Sequence, residues 1–483
     1  MFLKAGVLSL ALLLASRLLG LVRESAQAAA FGASGMGDLA VLMLTLPDWV
    51  AGVLASGALA YVLLPAWTHE EGARIAASQR QVARRLLAGG ILLAVVVALA
   101  QQPVVRWLAG GLPKSLLPLA GTGLVWSAIA VPLALLAALW TTRLQHERDF
   151  PGMYAANLAV NGVLILALLA VGVAASTARM AVLLLGLGVL LAMAARLAWL
   201  HWRQRPFRTL AAPAPAFVAL PRASLWLWAA AAAGLPLALP FVARSLASHQ
   251  APGALATFNY AWKLVELPLV LAIQLVGTLA LGPIARAVRS GEVDETRAML
   301  RRGFALAWTL ACASVAGLLV ASPAVAQLLF GWGRMQPQAL ESVAAWARIG
   351  AWSLLPQAVI AISLAVLAAQ ERLRIAVAAY GMALVALLLA GAREGGALMA
   401  WLDVLWTAIA LVLLRVLRPA AQGWVPWRAL AAAGGVVALV QVALLLGQPA
   451  TLASQWAAAI VAAVAVLGGA WAASPDLRAA LAR

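Results

Sequence analysis

The chain is short of charge. Of its 483 residues only 10% are Asp, Glu, Lys or Arg, where a soluble domain carries about 25%. Within that small set it is short of acid, with 16 acidic residues against 34 basic ones and a formal net charge of +18. There is one cysteine, Cys312, in an apolar run; a lone thiol makes no internal disulfide and says nothing of redox compartment. The four histidines, His69, His146, His201 and His249, are scattered, and no carboxylate pair stands in a long polar loop. Membrane phosphatases and glycosyltransferases need acids or histidines at the interface, so the chain reads as no enzyme, with no catalytic residue, metal or cofactor. The ten-residue alternation of a membrane barrel is absent as well. What remains is apolar: 65% of residues are hydrophobic and the mean hydropathy is +0.97. Runs of about 20 apolar residues read as spanning helices, since lipid offers backbone groups no solvent. The expected fold is an all-α polytopic membrane protein.

Fourteen spans are expected, near 4–30, 36–66, 84–108, 116–142, 151–174, 178–202, 223–246, 252–285, 303–325, 338–369, 373–392, 396–417, 427–447 and 452–473. An even number puts both termini on one side. If that side is the cytoplasm, about 24 basic residues face it, Arg84, Arg85, Arg148, Arg196, Arg301 and Arg302 among them, along with Lys4, Arg208, Arg289, Arg418 and Arg483. Only Arg106, Lys114, Arg179, Arg244, Arg334 and Arg393 face the other side. Such asymmetry predicts a multi-pass protein of a bacterial cytoplasmic membrane with both ends inside. It also absorbs the basic excess without nucleic acid as a partner. The first apolar segment has no small-residue cleavage site and reads as a retained helix.

The chain repeats itself. Leu64-Pro65 and Arg84-Arg85 are echoed by Gly282-Pro283 and Arg301-Arg302; Gln145-His146-Glu147-Arg148 is echoed by Gln370-Glu371-Arg372. The offsets are close to 220 residues, or six spans. An even offset keeps orientation and implies two lobes related by an axis along the membrane normal. The expected division is an N-terminal lobe over 1–205, a Pro- and Ala-rich cytoplasmic linker over 206–222, a C-terminal lobe over 223–418, and two added helices over 419–483. Two six-helix lobes around a central cleft would suit alternating access.

Charges inside the spans carry the functional argument. Arg17 and Arg23 lie in the first span, in Ser16-Arg17-Leu18-Leu19-Gly20-Leu21-Val22-Arg23-Glu24. An arginine mid-helix costs roughly 2.5–3.5 kcal/mol on insertion scales. Each therefore snorkels to a headgroup, as Arg23 is placed to do, or sits in a polar hollow suited to an anion. Lys263 and Glu266 are three apart and share a helix face, while Asp38 and Asp48 add negative charge to the second span. Pro47 and Pro268 fall at matching places in the second helix of each lobe, and breaks at such places point toward a binding site. Asn157 and Asn161 read as helix–helix glue. Arg348 reads as interfacial; Asp403, with no partner evident in sequence, reads as an ion or proton site or as a helix-end acid. With Glu266 and Asp38 partly offsetting Arg17, Arg23 and Lys263, the hollow stays basic, and arginine forks suit phosphate oxygens. The last two helices, almost purely apolar, either line a lipid-tail groove or simply pack.

These residues resemble the MurJ (MviN) family of lipid II flippases, within the multidrug/oligosaccharidyl-lipid/polysaccharide exporter superfamily. The likeness rests on Ser16-Arg17-x-Leu19-Gly20-x-x-Arg23-Glu24, Phe31-Gly32-Ala33, Asp38, Leu46-Pro47, Gly57-Ala58 and Pro65. A second block is Tyr260-Ala261-x-Lys263-Leu264-x-Glu266-x-Pro268, followed by Gly277-Thr278 and Pro283. The resemblance implies a flippase that moves a polyprenyl-pyrophosphate-linked glycan precursor, lipid II first, from the inner to the outer leaflet by alternating access. Its partners would be that anionic lipid-linked substrate, membrane lipid and the cell-wall synthesis machinery. It implies that Arg17 and Arg23 line the cavity, that Lys263 stands where the family has a third cavity arginine, and that Ser16, Asp38 and Glu266 complete the substrate-binding set. The chain departs from the family at Leu46-Pro47-Asp48-Trp49-Val50-Ala51-Gly52, where the pattern is Leu-Pro-Asn-x-x-Arg-Arg. It also has Ser56 for a glutamate and Trp262 for an acid. The alternatives are a diverged flippase for another lipid-linked polysaccharide, an ion-coupled multidrug exporter of the same superfamily, or a scaffold that no longer transports. The drug-exporter reading predicts an acidic cavity, against which the arginines argue.

Overall fold

The structure, a computed structural model, describes residues 2–53, 57–68, 70–209, 218–290, 292–417 and 423–481. Ser56, His69, Arg418, Arg483 and most of the expected linker lie outside the described residues, as do the side chains of Lys4, Ala51, Arg208, Thr278 and Arg289. The described residues are helical, with no strand among them. In chain order the helices are α1 (Phe2–Phe31), α2 (Gly35–Val53), α3 (Leu59–Trp67), α4 (Gly72–Leu99), α5 (Gln101–Leu108), α6 (Leu117–His146), α7 (Phe150–Ala174), α8 (Ala178–Thr209) and α9 (Ala223–Ser248). They continue with α10 (Ala254–Pro268), α11 (Leu275–Ser290), α12 (Val293–Phe330), α13 (Pro337–Gly350), α14 (Leu354–Ala369), α15 (Arg374–Ala390), α16 (Gly395–Leu417), α17 (Trp427–Leu446), α18 (Leu452–Ala473) and α19 (Pro475–Leu481).

Every one of the fourteen expected spans is met by helix at its place, and the chain is a multi-pass membrane protein. Ten segments among the described residues are long and apolar enough to cross a bilayer. The other four expected spans, 4–30, 36–66, 252–285 and 373–392, also lie on helix. α1 carries Arg17 and Arg23, and α15 runs 17 residues. The second and eighth spans depart locally from regular α-helix. Pro47 lies inside α2, and Gly57 and Ala58 take the wider π-helical pitch. In the later repeat, Pro268 ends α10 and a π-helical segment, Leu269–Gln274, leads into α11. Proline removes an N–H and clashes one turn back, so a break in the ladder is its ordinary consequence.

Several helices outrun their apolar cores. α4 begins at Gly72 and α12 at Val293, each before the apolar stretch that marks its span. Arg74, Arg80, Arg84 and Arg85 ride on α4, and Arg297, Arg301 and Arg302 on α12. α12 runs 38 residues, about 57 Å at 1.5 Å per residue.

The chain forms two compact units. One holds residues 1–241, 248–256 and 332–336. Its centre is α6, against which α2, α4, α7 and α8 pack. Small residues allow the approach: a methyl at Gly123 would press on Met43 of α2, and the Ser127 hydroxyl donates to the Met43 carbonyl at 2.6 Å. α1 lies along α7, where Asn161 Nδ2 donates to the Ser16 carbonyl at 3.3 Å; Asn161 thus has the glue role expected of it. The second unit holds 242–247, 257–331 and 337–483. Here α12 is the hub for α11, α13, α14, α17, α18 and α19. The Arg301 guanidinium holds Asp476 at the start of α19 through Nε at 3.1 Å and Nη2 at 2.9 Å.

The repeat shows in the backbone. α6 ends with Arg148 N–H donating to Gln145 and Asp149 N–H to Leu144; α14 ends with Glu371 N–H donating to Ala368 and Arg372 N–H to Leu367. Both are Schellman closures, which satisfy carbonyls a helix end leaves open.

Candidate functional site

In the first unit the polar groups gather around Arg23. The helical turn of α1 that places Ser16, Glu24 and Gln27 on the buried side brings Arg23 beside α2. Its Nη1 donates to Asp48 Oδ2 at 2.9 Å and its Nη2 to Glu24 Oε1 at 2.8 Å. The Arg23 side chain is 11% exposed and Glu24 6%, but Asp48 is 44% exposed. The arginine therefore does not snorkel: it is held inside the unit by two carboxylates, one of which faces outward. Charge-assisted hydrogen bonds of this kind are roughly twice as strong as neutral ones, and burial makes breaking one side costly.

Arg17 does not join this cluster. It is exposed. Ser16 is buried, with its carbonyl taken by Asn161.

Asp38 is 1% exposed. Its Oδ2 accepts from Gly253 N–H at 2.6 Å and its Oδ1 from Ala256 N–H at 2.8 Å. It caps the first turn of α10, where a carboxylate also meets the positive end of the helix dipole. The α1–α2 turn that presents it is tightly held. Gly32 has φ +65°, and a methyl there would run into the Arg334 carbonyl; Gly253 has φ +87°, and a methyl there would run into the Ala33 carbonyl. Only glycine meets both demands, of handedness and of space.

In the second unit Lys263 Nζ donates to Glu266 Oε2 at 2.7 Å, and each side chain is about one third exposed. The expected intrahelical pair is thus present, one turn ahead of the break at Pro268. Elsewhere in this unit the buried Oδ1 of Asp403 has no hydrogen-bond partner.

Sequence reasoning missed the burial of one arginine. Arg196 was expected among the cytoplasmic loop charges. It lies within α8 and is 8% exposed. Its isolation between Arg179 and His201 in an otherwise uncharged run was the available signal. Among the described residues no group of His, Cys, Asp and Glu is placed to hold a metal.

The family model described as lipid II flippase MurJ matches residues 27–473. A curated relative, the probable lipid II flippase MurJ of Rhizobium meliloti (strain 1021), is 26% identical over 345 residues; the match covers 67% of this chain and 62% of that relative's length. Among solved structures, lipid II flippase MurJ in an inward closed conformation superposes with a TM-score of 0.78 at 13% identity, covering 96% of this chain and 99% of the other. An inward-facing multidrug resistance MATE family transporter of the MOP superfamily gives 0.64 at 13% identity, covering 90% and 99%. At such identities the superpositions speak for the fold.

Proposed function

The chain belongs to the lipid II flippase MurJ family, and from that premise we propose that it moves a polyprenyl-pyrophosphate-linked glycan, lipid II first, from the inner to the outer leaflet of a bacterial cytoplasmic membrane. The reading makes it a transporter and no enzyme, with both termini cytoplasmic. The observation that carries it is Arg23, a buried arginine inside the family's first motif, with its fork turned to oxyanions. The cargo's pyrophosphate offers the same oxygens. In this reading Arg17, Arg23 and Lys263 receive the headgroup. Ser16 and Glu266 flank them, Asp38 fixes the start of α10, and the repeats 1–205 and 223–418 alternate access. Residues 206–222 link the repeats, and the helices of 419–483 accompany the lipid tail. An anionic cargo moving outward gains from an inside-negative potential, about 2.3 kcal/mol per charge per 100 mV. The cell-wall synthesis machinery is the proposed partner.

One observation favours a second reading, a different lipid-linked polysaccharide. Asp48 and Gly52 stand where the family pattern has asparagine and arginine, so α2 brings an anion where a cation is usual. The test is rescue of a MurJ-depleted bacterium, with lipid II on the outer leaflet as the readout. Rescue by this chain, lost in Arg17→Ala and Arg23→Ala, supports the first reading. An inserted, stable chain that leaves lipid II inside sinks it.

A further inference from the structure

α4 and α12 are counterparts in the two repeats. An offset of 217 carries Arg84-Arg85 onto Arg301-Arg302, and the packing keeps that register. Leu86 packs on Val131 and Leu135 of α6; a methyl on its counterpart, Gly303, would touch Ile362 of α14. On α12 the stripe Ala305, Thr309, Cys312 and Ala316 shares one face, and none of the four is more than 1% exposed. α18 packs along α12, with a contact at either end of this stripe. Ala459 clusters with Val320 and Ala321, and just past the end of α18 Asp476 accepts from Arg301. α18 is thus antiparallel to α12, and its buried face, Ala459, Ala462, Val466 and Ala470, is mostly alanine, which permits close approach. The counterparts of the stripe on α4 are Ala88, Leu92, Val95 and Leu99. All four are exposed, Leu92 at 65% and Leu99 at 84%. Arg84 heads this stripe as Arg301 heads the other; it is exposed, and among the described residues it has no hydrogen bond or ion pair.

Lipid covers an apolar stripe well, and exposure alone would mark no partner. What marks this one is its arginine, unanswered at the register where the second repeat seats a helix and that helix's acid. We propose that this face of α4 docks a spanning helix of a partner membrane protein, with the chemistry that α18 and Asp476 bring to α12. The partner helix runs antiparallel to α4, is rich in alanine and glycine, and carries an aspartate or glutamate just past its end to meet Arg84. A second copy of this chain is the poorer occupant. Two copies inserted the same way and paired through α4 would set Arg84 against Arg84, and like charges oppose that contact. The inference concerns assembly and goes beyond the translocation reading; it holds whatever the cargo.

The test places a photo-crosslinking residue at Val95 of the full chain in lipid nanodiscs. The probe is a labelled synthetic peptide of residues 452–481, which carries the stated chemistry. It should crosslink at position 95 in proportion to its concentration. A crosslinker at Leu389 of α15, itself 82% exposed, should give background only. Arg84→Glu should lower the yield at position 95 about fivefold, the loss of one exposed ion pair. A peptide carrying Asp476→Lys should restore the yield in that variant. If Arg84→Glu does not insert, Arg84→Gln replaces it, with the same loss expected. Equal yields at positions 95 and 389, or a yield at 95 indifferent to the charge changes, mean a face that meets lipid alone and overturn the proposal. Crosslinks between two copies of the chain in place of the probe assign the face to self-association and overturn it too. A chain that fails to rescue lipid II exposure yet shows the charge-swapped crosslink loses its proposed cargo and keeps the docking face; one that rescues without it loses the face alone.

Discussion

Arg148 and Glu371 end α6 and α14 in the same left-handed backbone, with φ of 59° and 58°. Neither is a residue that favours that region, which costs roughly 1–2 kcal/mol without glycine. Both are exposed, and both close a Schellman motif. The two turns share one backbone geometry with different residues at the left-handed position. Replacing either by glycine should raise stability by about 0.5–1 kcal/mol, seen as a higher melting temperature in detergent. A fall in both variants would mean the side chains hold these ends by contacts that outweigh the strain.

Asp38→Ala removes the acceptor from two buried backbone N–H groups. The expected loss is about 2 kcal/mol of stability, read by thermal unfolding. Asp38→Asn should recover part of it, since one oxygen remains to accept. If Asp38→Ala instead unfolded like the wild type while losing transport, the residue would act on cargo and its capping role would be minor.

Glycine substitutions should split by environment. Gly32→Ala meets both a left-handed backbone and the Arg334 carbonyl, so a loss above about 1 kcal/mol is expected. Gly282→Ala, in α11 with nothing close to the added methyl, should gain a few tenths to about 1 kcal/mol. Equal effects at the two positions would contradict the close approach described at the α1–α2 turn.

Arg23→Ala leaves two carboxylates without their shared cation and should abolish rescue of the depleted strain. Arg23→Lys keeps the charge but answers one carboxylate at a time, and activity at or below about a tenth of wild type is expected. Full activity in Arg23→Lys would show that charge alone suffices.

Much of this was legible in sequence because lipid simplifies the code. Apolar length marked the spans, and the echo of Gln145-His146-Glu147-Arg148 in Gln370-Glu371-Arg372 fell on the two matching Schellman turns, one residue out of register. The starts of α4 and α12 were less readable, since a helix continues into water once it carries arginines, and hydropathy ends where the oil does. Charge partners were harder still. That Lys263 meets Glu266 follows from helical spacing. That Asp38 serves Gly253 and Ala256 depends on folding alone, because backbone N–H groups leave no mark in sequence. Arg196 was mistaken for a loop residue because a lone arginine toward the end of a span usually is one.

The length of α12 has a consequence of its own. At about 57 Å against a hydrocarbon layer of about 30 Å, a large part of this rod stands beyond the oil as stiff helix. The Arg301–Asp476 tie fastens α19 to that projecting part. Any tilt of α12 within the bilayer would therefore sweep α19 through a wider arc outside it. A spectroscopic label on α19 would act as the pointer of a gauge whose needle is pivoted in the membrane.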